Sequence, residues 1–297
     1  MTPAERPGAL ARDLAGRRVG RALLNLVPWV VYAFLWLPIV VLIVFSFNDA
    51  DSVSVWRGFS LRWYRGLFEG SLNGAGPGSF RTELLLSAVR NSLFVATVST
   101  VLATAIGTAF ALAVTRGRFR GRRTFDALYY LPVVIPDITQ GVSLAVFFRI
   151  AFEAIELVSG HRFVTGFATI IIGHVSFNIA FVLITVRARL QGMNPSLEEA
   201  AQDLGANRLQ TFWRVTLPGV APGILAGALL AFTLSLDDFV ITFFTAGVGT
   251  TTLPLFVYGL LKQRVPPEIN AVSALMILAS IVLVSMSLLL QRRTDRG

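Results

Sequence analysis

Long apolar segments separated by short polar stretches follow one another along the chain. Six of them reach the length of about 20 residues that a helix needs to cross a hydrocarbon core of ~30 Å. These segments lie near residues 24–47, 85–114, 125–150, 167–186, 219–245 and 270–290. The pattern predicts an all-α membrane protein with six transmembrane helices.

The composition agrees with this prediction. Of the 297 residues, 54% are hydrophobic and 14% are charged, whereas a soluble domain carries about 25% charged residues. The chain contains no cysteine and only two histidines, His161 and His174. These counts argue against disulfide frameworks, zinc clusters and thiol catalysis.

The basic residues indicate how the helices are oriented. Seventeen of the 26 fall in four segments, residues 1–23, 115–124, 187–218 and 291–297. Because basic residues accumulate on the cytoplasmic side, both termini are predicted to face the cytoplasm, and residues 24–290 to form the transmembrane domain. The first apolar run is too long for a signal peptide and is predicted to be an uncleaved span. The net charge of +9 follows membrane topology, so no nucleic-acid partner is expected.

The longest predicted external segment, residues 48–83, carries aromatic residues followed by glycines. Trp56, Trp63, Tyr64 and Phe68 precede a glycine-rich stretch from Gly74 to Gly78. Aromatic residues beside a membrane usually form an interfacial belt, but they also suit the docking of an external partner. The sequence leaves both interpretations open.

The cytoplasmic segment 187–218, called the elbow below, predicts two short helices. Ser196 and Glu199 have the spacing of a capping box at the start of the first helix. Gly205 is placed to end that helix with a left-handed residue, and Asn207 is suited to cap the second helix. The elbow is therefore predicted to be a compact helical unit.

The first elbow helix has an apolar face and an acidic one. The apolar face consists of Leu197, Ala200, Ala201 and Leu204. Helices that lie on lipid favour a basic polar face, whereas this helix carries Glu198, Glu199 and Asp203. The elbow is therefore predicted to contact another protein rather than a lipid surface.

The elbow resembles the EAA loop of ATP-binding-cassette importer permeases. Glu199-Ala200-Ala201 is followed after three residues by Gly205, and after nine more by Val215-Thr216-Leu217-Pro218. The resemblance covers residues from about 85 to 290 and implies the type I importer permease fold. It also implies that the loop docks on a separate ATPase and transmits the closure of that ATPase to the permease. The residues implied in this coupling are Glu199, Ala200, Ala201, Gly205, Leu217 and Pro218.

The chain itself lacks the phosphate-binding motif of an ATPase. A P-loop needs a lysine followed by serine or threonine, but the only lysine, Lys262, precedes Gln263. ATP and Mg²⁺ are therefore expected on the partner, and the chain is expected to be a non-catalytic subunit without a cofactor.

Ionisable and polar residues inside predicted spans are costly and usually serve a pathway or a helix contact. Asp137 lies mid-way along the third span, close to Pro132 and Pro136, and shares a face with Tyr130, Gln140 and Gly141. It is interpreted either as pathway lining or as a packing contact. His174 and Asn178, one turn apart in the fourth span, are predicted to form interhelical hydrogen bonds.

The fifth span and the segments after it resemble the permeases of spermidine/putrescine importers. The resemblance rests on Leu234–Phe244, Thr251–Pro254 and Pro267–Ala271, and it implies a small organic cation as substrate. On a continuous helix, Asp238 shares a stripe with Ser235 and Thr242, so Asp238 is predicted to line the pathway and Asp237 to be its neighbour or an interhelical partner. The predicted pathway residues are Asp238, Asp237, Asp137, Tyr130, Gln140, Ser235 and Thr242.

The resemblance implies an assembly in the bacterial inner membrane. Its members are an ATPase dimer, a second permease that is a different chain, and an external or periplasmic binding protein. Three alternatives stay open at this point. The first is a secondary transporter that uses Asp137 as its ion site. The second is an importer permease for another small organic solute, and the third is an intramembrane enzyme with Asp137 and Asp238 as a catalytic pair.

Overall fold

A computed structural model describes the backbone of residues 7–52, 55–69, 82–117, 121, 124–125, 128–263 and 267–294, and the side chains of these residues except 7–23, 263, 283–284 and 286–294. Over these ranges the protein is helical, and the only extended pairing is a single bridge between Asn48 and Phe59. The predicted all-α class is confirmed. The glycine-rich stretch at 74–78, most of the arginine cluster at 116–123 and the end of the 291–297 tail lie outside the described residues.

The helices are numbered in chain order. They are α1 (Pro7–Phe45), α2 (Arg62–Glu69), α3 (Thr82–Arg116), α4 (Leu131–Val134), α5 (Asp137–Ser159), α6 (Phe167–Gln191), α7 (Ser196–Asp203), α8 (Arg208–Thr211), a π-helical turn (Phe212–Thr216), α9 (Leu217–Asp237), α10 (Val240–Thr245), α11 (Leu253–Gln263) and α12 (Glu268–Thr294).

Four helical segments are long and apolar enough to cross a membrane. They are Leu24–Phe45, Thr82–Arg116, Phe167–Gln191 and Arg208–Asp237, and two shorter apolar helices cover Leu253–Lys262 and Glu268–Val282. These segments make the chain a multi-pass membrane protein. The count of six spans and the cytoplasmic position of the termini stay predictions.

The predicted continuous helix over 125–150 is wrong, because the chain leaves the helical conformation between α4 and α5. Ile135 and Pro136 are both extended, with ψ values of 130° and 136°. Proline disfavours the helical conformation in the residue before it and lacks a backbone donor. Asp137 therefore lies in the first turn of a new helix and not in the middle of a kinked one.

The predicted continuous helix over 219–245 is also interrupted. It ends at Asp237, Asp238 is extended with ψ of 125°, and α10 begins at Val240. The stripe that was expected to join Asp238 to Ser235 and Thr242 along one helix face does not exist. A capping side chain at the break, described below, makes the second helix start anew.

The chain divides into two compact units, residues 1–69 with 265–278 and residues 70–264 with 279–297. In the first unit, Asn48 organises the turn after α1. Its amide donates to the Val55 carbonyl over 2.7 Å and its side-chain oxygen accepts from the Arg57 amide over 2.9 Å. The buried Trp63 donates to the Asn48 carbonyl over 2.8 Å, whereas Phe68 is 81% exposed. The aromatic residues of this segment thus differ in their surroundings.

The second unit is built around α3, α6 and α9. Its core consists of Ala111, Val182, Leu183, Val186, Leu190, Val220 and Ala231. The first two of these helices run in the same direction, because Phe94 packs on Phe167 with ring centroids 5.3 Å apart, and Gly107 lies against Val182 further along both. A Cβ at Gly107 would lie 2.9 Å from the Val182 Cβ, so glycine is what allows this close approach.

Candidate functional site

The elbow forms the two short helices that its sequence predicts. Gly205, after α7, has a φ of +90°, the left-handed region that glycine enters without a steric penalty. Asn207 then begins α8 with a reciprocal capping box. The Asn207 side chain accepts from the Gln210 amide over 2.8 Å, and the Gln210 side chain accepts from the Asn207 amide over 2.9 Å. The predictions for Gly205 and Asn207 are confirmed.

The capping box predicted from Ser196 and Glu199 is wrong. Ser196 is already the first residue of α7, and its amide and hydroxyl both donate to the Asn194 side-chain oxygen, over 3.1 and 2.5 Å. Because Pro195 holds a helical conformation, the capping oxygen comes from Asn194, two residues before the helix. Glu199 is thereby free of any capping role.

The outer face of the elbow carries exposed apolar side chains. Leu197 is 55% exposed, Leu204 is 90% exposed and Trp213 is 60% exposed. Glu199 and Ala200 are exposed beside them, Ala201 is half-buried, and Leu217-Pro218 form the first turn of α9. In the part of the chain with described side chains, nothing covers this face.

Glu198, next to Glu199, faces the interior of the protein. Its carboxylate forms an ion pair with Arg116 at the end of α3 and accepts a hydrogen bond from the Thr216 hydroxyl over 2.5 Å. The Glu198 side chain is only 13% exposed. Sequence reasoning missed this role, because two adjacent glutamates on an amphipathic helix do not reveal which one faces inward.

A buried polar network joins α6 to the ends of α9 and α10. The fully buried imidazole of His174 lies 2.5 Å from the Ser235 hydroxyl and 3.0 Å from the Thr242 hydroxyl. The predicted interhelical hydrogen bonds of His174 are confirmed. Those of Asn178 are wrong over the described residues, where its buried amide has no hydrogen-bond partner.

Asp238 belongs to the same network. Its carboxylate accepts from the Ile241 and Thr242 amides over 3.2 and 2.8 Å and from the Thr242 hydroxyl over 2.9 Å. It also lies 3.2 Å from the His174 Nε2. An aspartate that binds the first free amides of a helix stabilises the helix start, so Asp238 both caps α10 and ties it to α6.

A cavity of about 320 Å³ opens beside this network. Its lining combines three carboxylates, three phenylalanine rings and aliphatic side chains, contributed by Asp137, Phe177, Phe181, Leu234, Asp237, Asp238, Phe239, Val240 and Ile241. Asp137 and Asp237 are exposed, and in the part of the chain that the structure describes neither has a hydrogen-bond or ion-pair partner. The cavity therefore presents two unpaired carboxylates and one that is already bound.

The other predicted pathway residues lie outside the cavity lining. Ser235 and Thr242 are buried against His174. Gln140 donates to the Ser176 hydroxyl over 3.5 Å, and Tyr130 packs on Tyr129 with ring centroids 4.4 Å apart. Among the residues whose placement is described, no group of three histidine or acidic residues is arranged to hold a metal ion.

Comparison with known proteins identifies the family. Residues 103–297 match the family described as the inner membrane component of binding-protein-dependent transport systems. The chain belongs to this family. The permease is 39% identical to the putrescine transport system permease protein PotI of Escherichia coli strain K12 over 257 residues, which cover 84% of this chain and 86% of that one.

A second relative covers more of the permease. The spermidine/putrescine transport system permease protein PotC of E. coli strain K12 is 35% identical over 279 residues, 94% of this chain and 97% of that protein. Among solved structures, a chain of a bacterial ABC transporter involved in the import of the acidic polysaccharide alginate aligns with a TM-score of 0.71 and 18% identity, over 96% of this chain and 99% of that chain. The permease therefore has the fold of an ABC importer permease.

Proposed function

We propose that the permease forms half of the pathway of an ATP-driven importer for a small organic cation of the polyamine class. The observation that carries this proposal is the pair of unpaired carboxylates, Asp137 and Asp237, on one cavity with three phenylalanine rings. The permeases PotI and PotC, whose names specify putrescine and spermidine, support the same substrate class.

The cavity lining suits an alkylammonium ion. Moving an ammonium group out of water is unfavourable unless carboxylates or aromatic faces replace its hydration. Asp137 and Asp237 supply charge that no described group of the chain neutralises, and Phe177, Phe181 and Phe239 supply aromatic faces. A linear diamine or triamine offers two or more ammonium groups joined by methylenes, which matches carboxylates separated by apolar side chains.

The three cavity carboxylates receive different roles in this proposal. Asp237 and Asp137 contact the cation directly, because they are exposed and unpaired. Asp238 remains part of the pathway wall, where it fixes the start of α10 through Thr242 and His174. This assignment reverses the order of importance that a continuous helix would give to Asp238 and Asp237.

The elbow is proposed to dock on a cytoplasmic ATPase. Its exposed face, with Leu197, Glu199, Ala200 and Leu204, offers apolar area and one charge to a partner. ATP and Mg²⁺ bind to that ATPase, and the permease acts without a cofactor of its own. Both termini then lie in the cytoplasm, and lipid surrounds the spans in the bacterial inner membrane.

The assembly is proposed to contain a second permease and an external substrate-binding protein. One elbow engages one ATPase subunit, whereas a closing ATPase dimer needs two. We expect the sister permease to be a different chain. Full uptake by vesicles that contain this permease and an ATPase without a sister chain would point instead to a homodimer.

The substrate proposal is tested by comparing Asp237→Asn with Asp238→Asn. We measure ATP-dependent uptake of radiolabelled putrescine and spermidine into vesicles at equal expression. The proposal expects a loss of about tenfold or more for Asp237→Asn, which is the size of a charged hydrogen bond. Glu153→Gln serves as the control, since this exposed acid pairs with Arg149 away from the cavity. Unchanged uptake in both aspartate variants would remove the carboxylates from the pathway.

The energy source is tested in the same vesicles. Uptake with internal ATP and no ion gradient supports the importer, and uptake that requires a proton or sodium gradient would favour a secondary transporter with Asp137 as its ion site. Competition by unlabelled organic solutes then separates polyamines from other substrates.

A further inference from the structure

We propose that Glu198 is a positioning residue, which fixes the elbow helix α7 to the ends of α3 and α9 so that a movement of α7 reaches both helices. The proposal rests on the proposed docking of the elbow to an ATPase. It assigns to Glu198 a task inside the permease, separate from the contact that Glu199 makes with the partner.

The carboxylate of Glu198 is shared between two elements. One oxygen pairs with the Arg116 guanidinium, the last residue of α3. The other accepts from Thr216, the last residue of the π-helical turn that leads directly into α9. Thr216 is only 3% exposed. A single side chain thus connects the elbow to two long helices of the core.

Packing alone does not hold α7 in place. None of its eight residues is buried, so there is little apolar area to fix its orientation. Pro195 and Gly205, with its left-handed φ, flank the helix. They constrain where α7 begins and ends more than how it is rotated about its own axis. The bonds of Glu198 are therefore well placed to set the direction in which α7 faces the cytoplasm.

The two adjacent glutamates, Glu198 and Glu199, have different roles, one towards the protein interior and one towards the partner. Successive residues on an α-helix point about 100° apart. Glu198 is 13% exposed and bound, whereas Glu199 is exposed. Because Glu198 holds the helix from within, Glu199 and the apolar residues beside it are presented outward in a fixed arrangement.

The first experiment measures whether Glu198 immobilises α7. The chain has no cysteine, so Gln202→Cys, at an exposed position of the helix, accepts a single spin label on the full-length permease in nanodiscs. We expect the label to become more mobile in Glu198→Gln, which keeps the side-chain size but removes the charge. Asp203→Asn removes the same charge from an exposed position of α7 and is expected to leave the label's mobility unchanged.

The second experiment measures coupling in the complex that contains the permease and its ATPase. We expect Glu198→Gln to lower the amount of substrate taken up per ATP hydrolysed by about tenfold, as loss of a charged hydrogen bond would. Exchange of the charges in Arg116→Glu with Glu198→Arg is expected to restore at least part of the coupling. A purely local effect of Glu198 on folding would not be rescued in this way.

Equal label mobility in Glu198→Gln, Asp203→Asn and the unchanged protein would overturn the proposal. So would a mobile label with unaltered uptake per ATP, because α7 would then transmit movement without being fixed. Failure of the unchanged permease to co-purify with its ATPase would instead refute the docking in the proposed function. The label measurement needs no ATPase and still decides whether Glu198 holds α7.

Discussion

The imidazole of His174 on α6 lies 3.2 Å from the carboxylate of Asp238, at the break between α9 and α10. Thr242 has one hydroxyl proton and donates it to Asp238, so its oxygen accepts from the His174 Nε2, and this nitrogen carries a hydrogen. The ring thereby bridges Ser235 and Thr242 with a fixed orientation. One buried histidine thus stabilises the helix break beside the cavity through its contacts with Ser235, Thr242 and Asp238.

Removal of this histidine is expected to destabilise the permease. His174→Ala leaves a buried void and the Ser235 and Thr242 hydroxyls without their ring partner, which costs about 2–4 kcal/mol of unfolding free energy. A lower midpoint of thermal unfolding in detergent, followed by tryptophan fluorescence, checks this expectation. His161→Ala is the matched control, because His161 is exposed. Equal midpoints for the two variants would contradict the role given to the network.

Replacement of Gly205 is expected to damage the elbow without preventing membrane insertion. Its φ of +90° is strained for a β-branched residue, so Gly205→Val should shift α7 and α8 and uncouple ATP hydrolysis from uptake. No atom lies within 4 Å of a Cβ built there, so the effect comes from the backbone. Gly205→Asn, which tolerates left-handed conformations better, should retain more coupling. Normal uptake per ATP in Gly205→Val would argue against docking through the elbow.

A methyl group at Gly107 is expected to separate α3 from α6. The added Cβ would meet the Val182 side chain at 2.9 Å and the Ile179 carbonyl oxygen at 3.0 Å. Overpacking of this kind costs about 1–3 kcal/mol, so Gly107→Ala should lower the thermal midpoint. Gly259→Ala adds the same methyl where nothing lies within 4 Å, and it should behave like the unchanged protein. An unchanged thermal midpoint for Gly107→Ala would contradict this expectation and would mean that α3 and α6 move apart without a loss of stability.

Loss of the Asp137 carboxylate is expected to weaken substrate affinity. In Asp137→Asn, the ATP-dependent uptake of putrescine should require about tenfold more substrate for half-maximal rate, with a smaller change in maximal rate, because the residue acts by binding. Uptake as a function of putrescine concentration provides the measurement, with Glu153→Gln as the charge control. An unchanged half-saturating concentration would assign the cation site to Asp237 without Asp137.

Local interactions explain why much of the elbow was predictable from sequence. Asn207 and Gln210 are three residues apart, less than one helical turn, so the capping box forms wherever a helix begins after Asn207. Gly205 likewise ends a helix through its own backbone freedom. The prediction for Ser196 failed because the side chain of Asn194, two residues earlier, accepts from the Ser196 amide.

The sequence by itself determined the all-helical membrane class, the elbow motif and the family, since hydrophobic length and short-range spacing are properties of the chain before it folds. Only the tertiary structure decided which carboxylates are free. Asp238 is tied to His174 because α6 lies beside the break after Asp237, and Glu198 faces inward because α3 ends beside α7. Such partners lie tens of residues apart along the chain, and their meeting depends on how three helices pack together rather than on any local pattern.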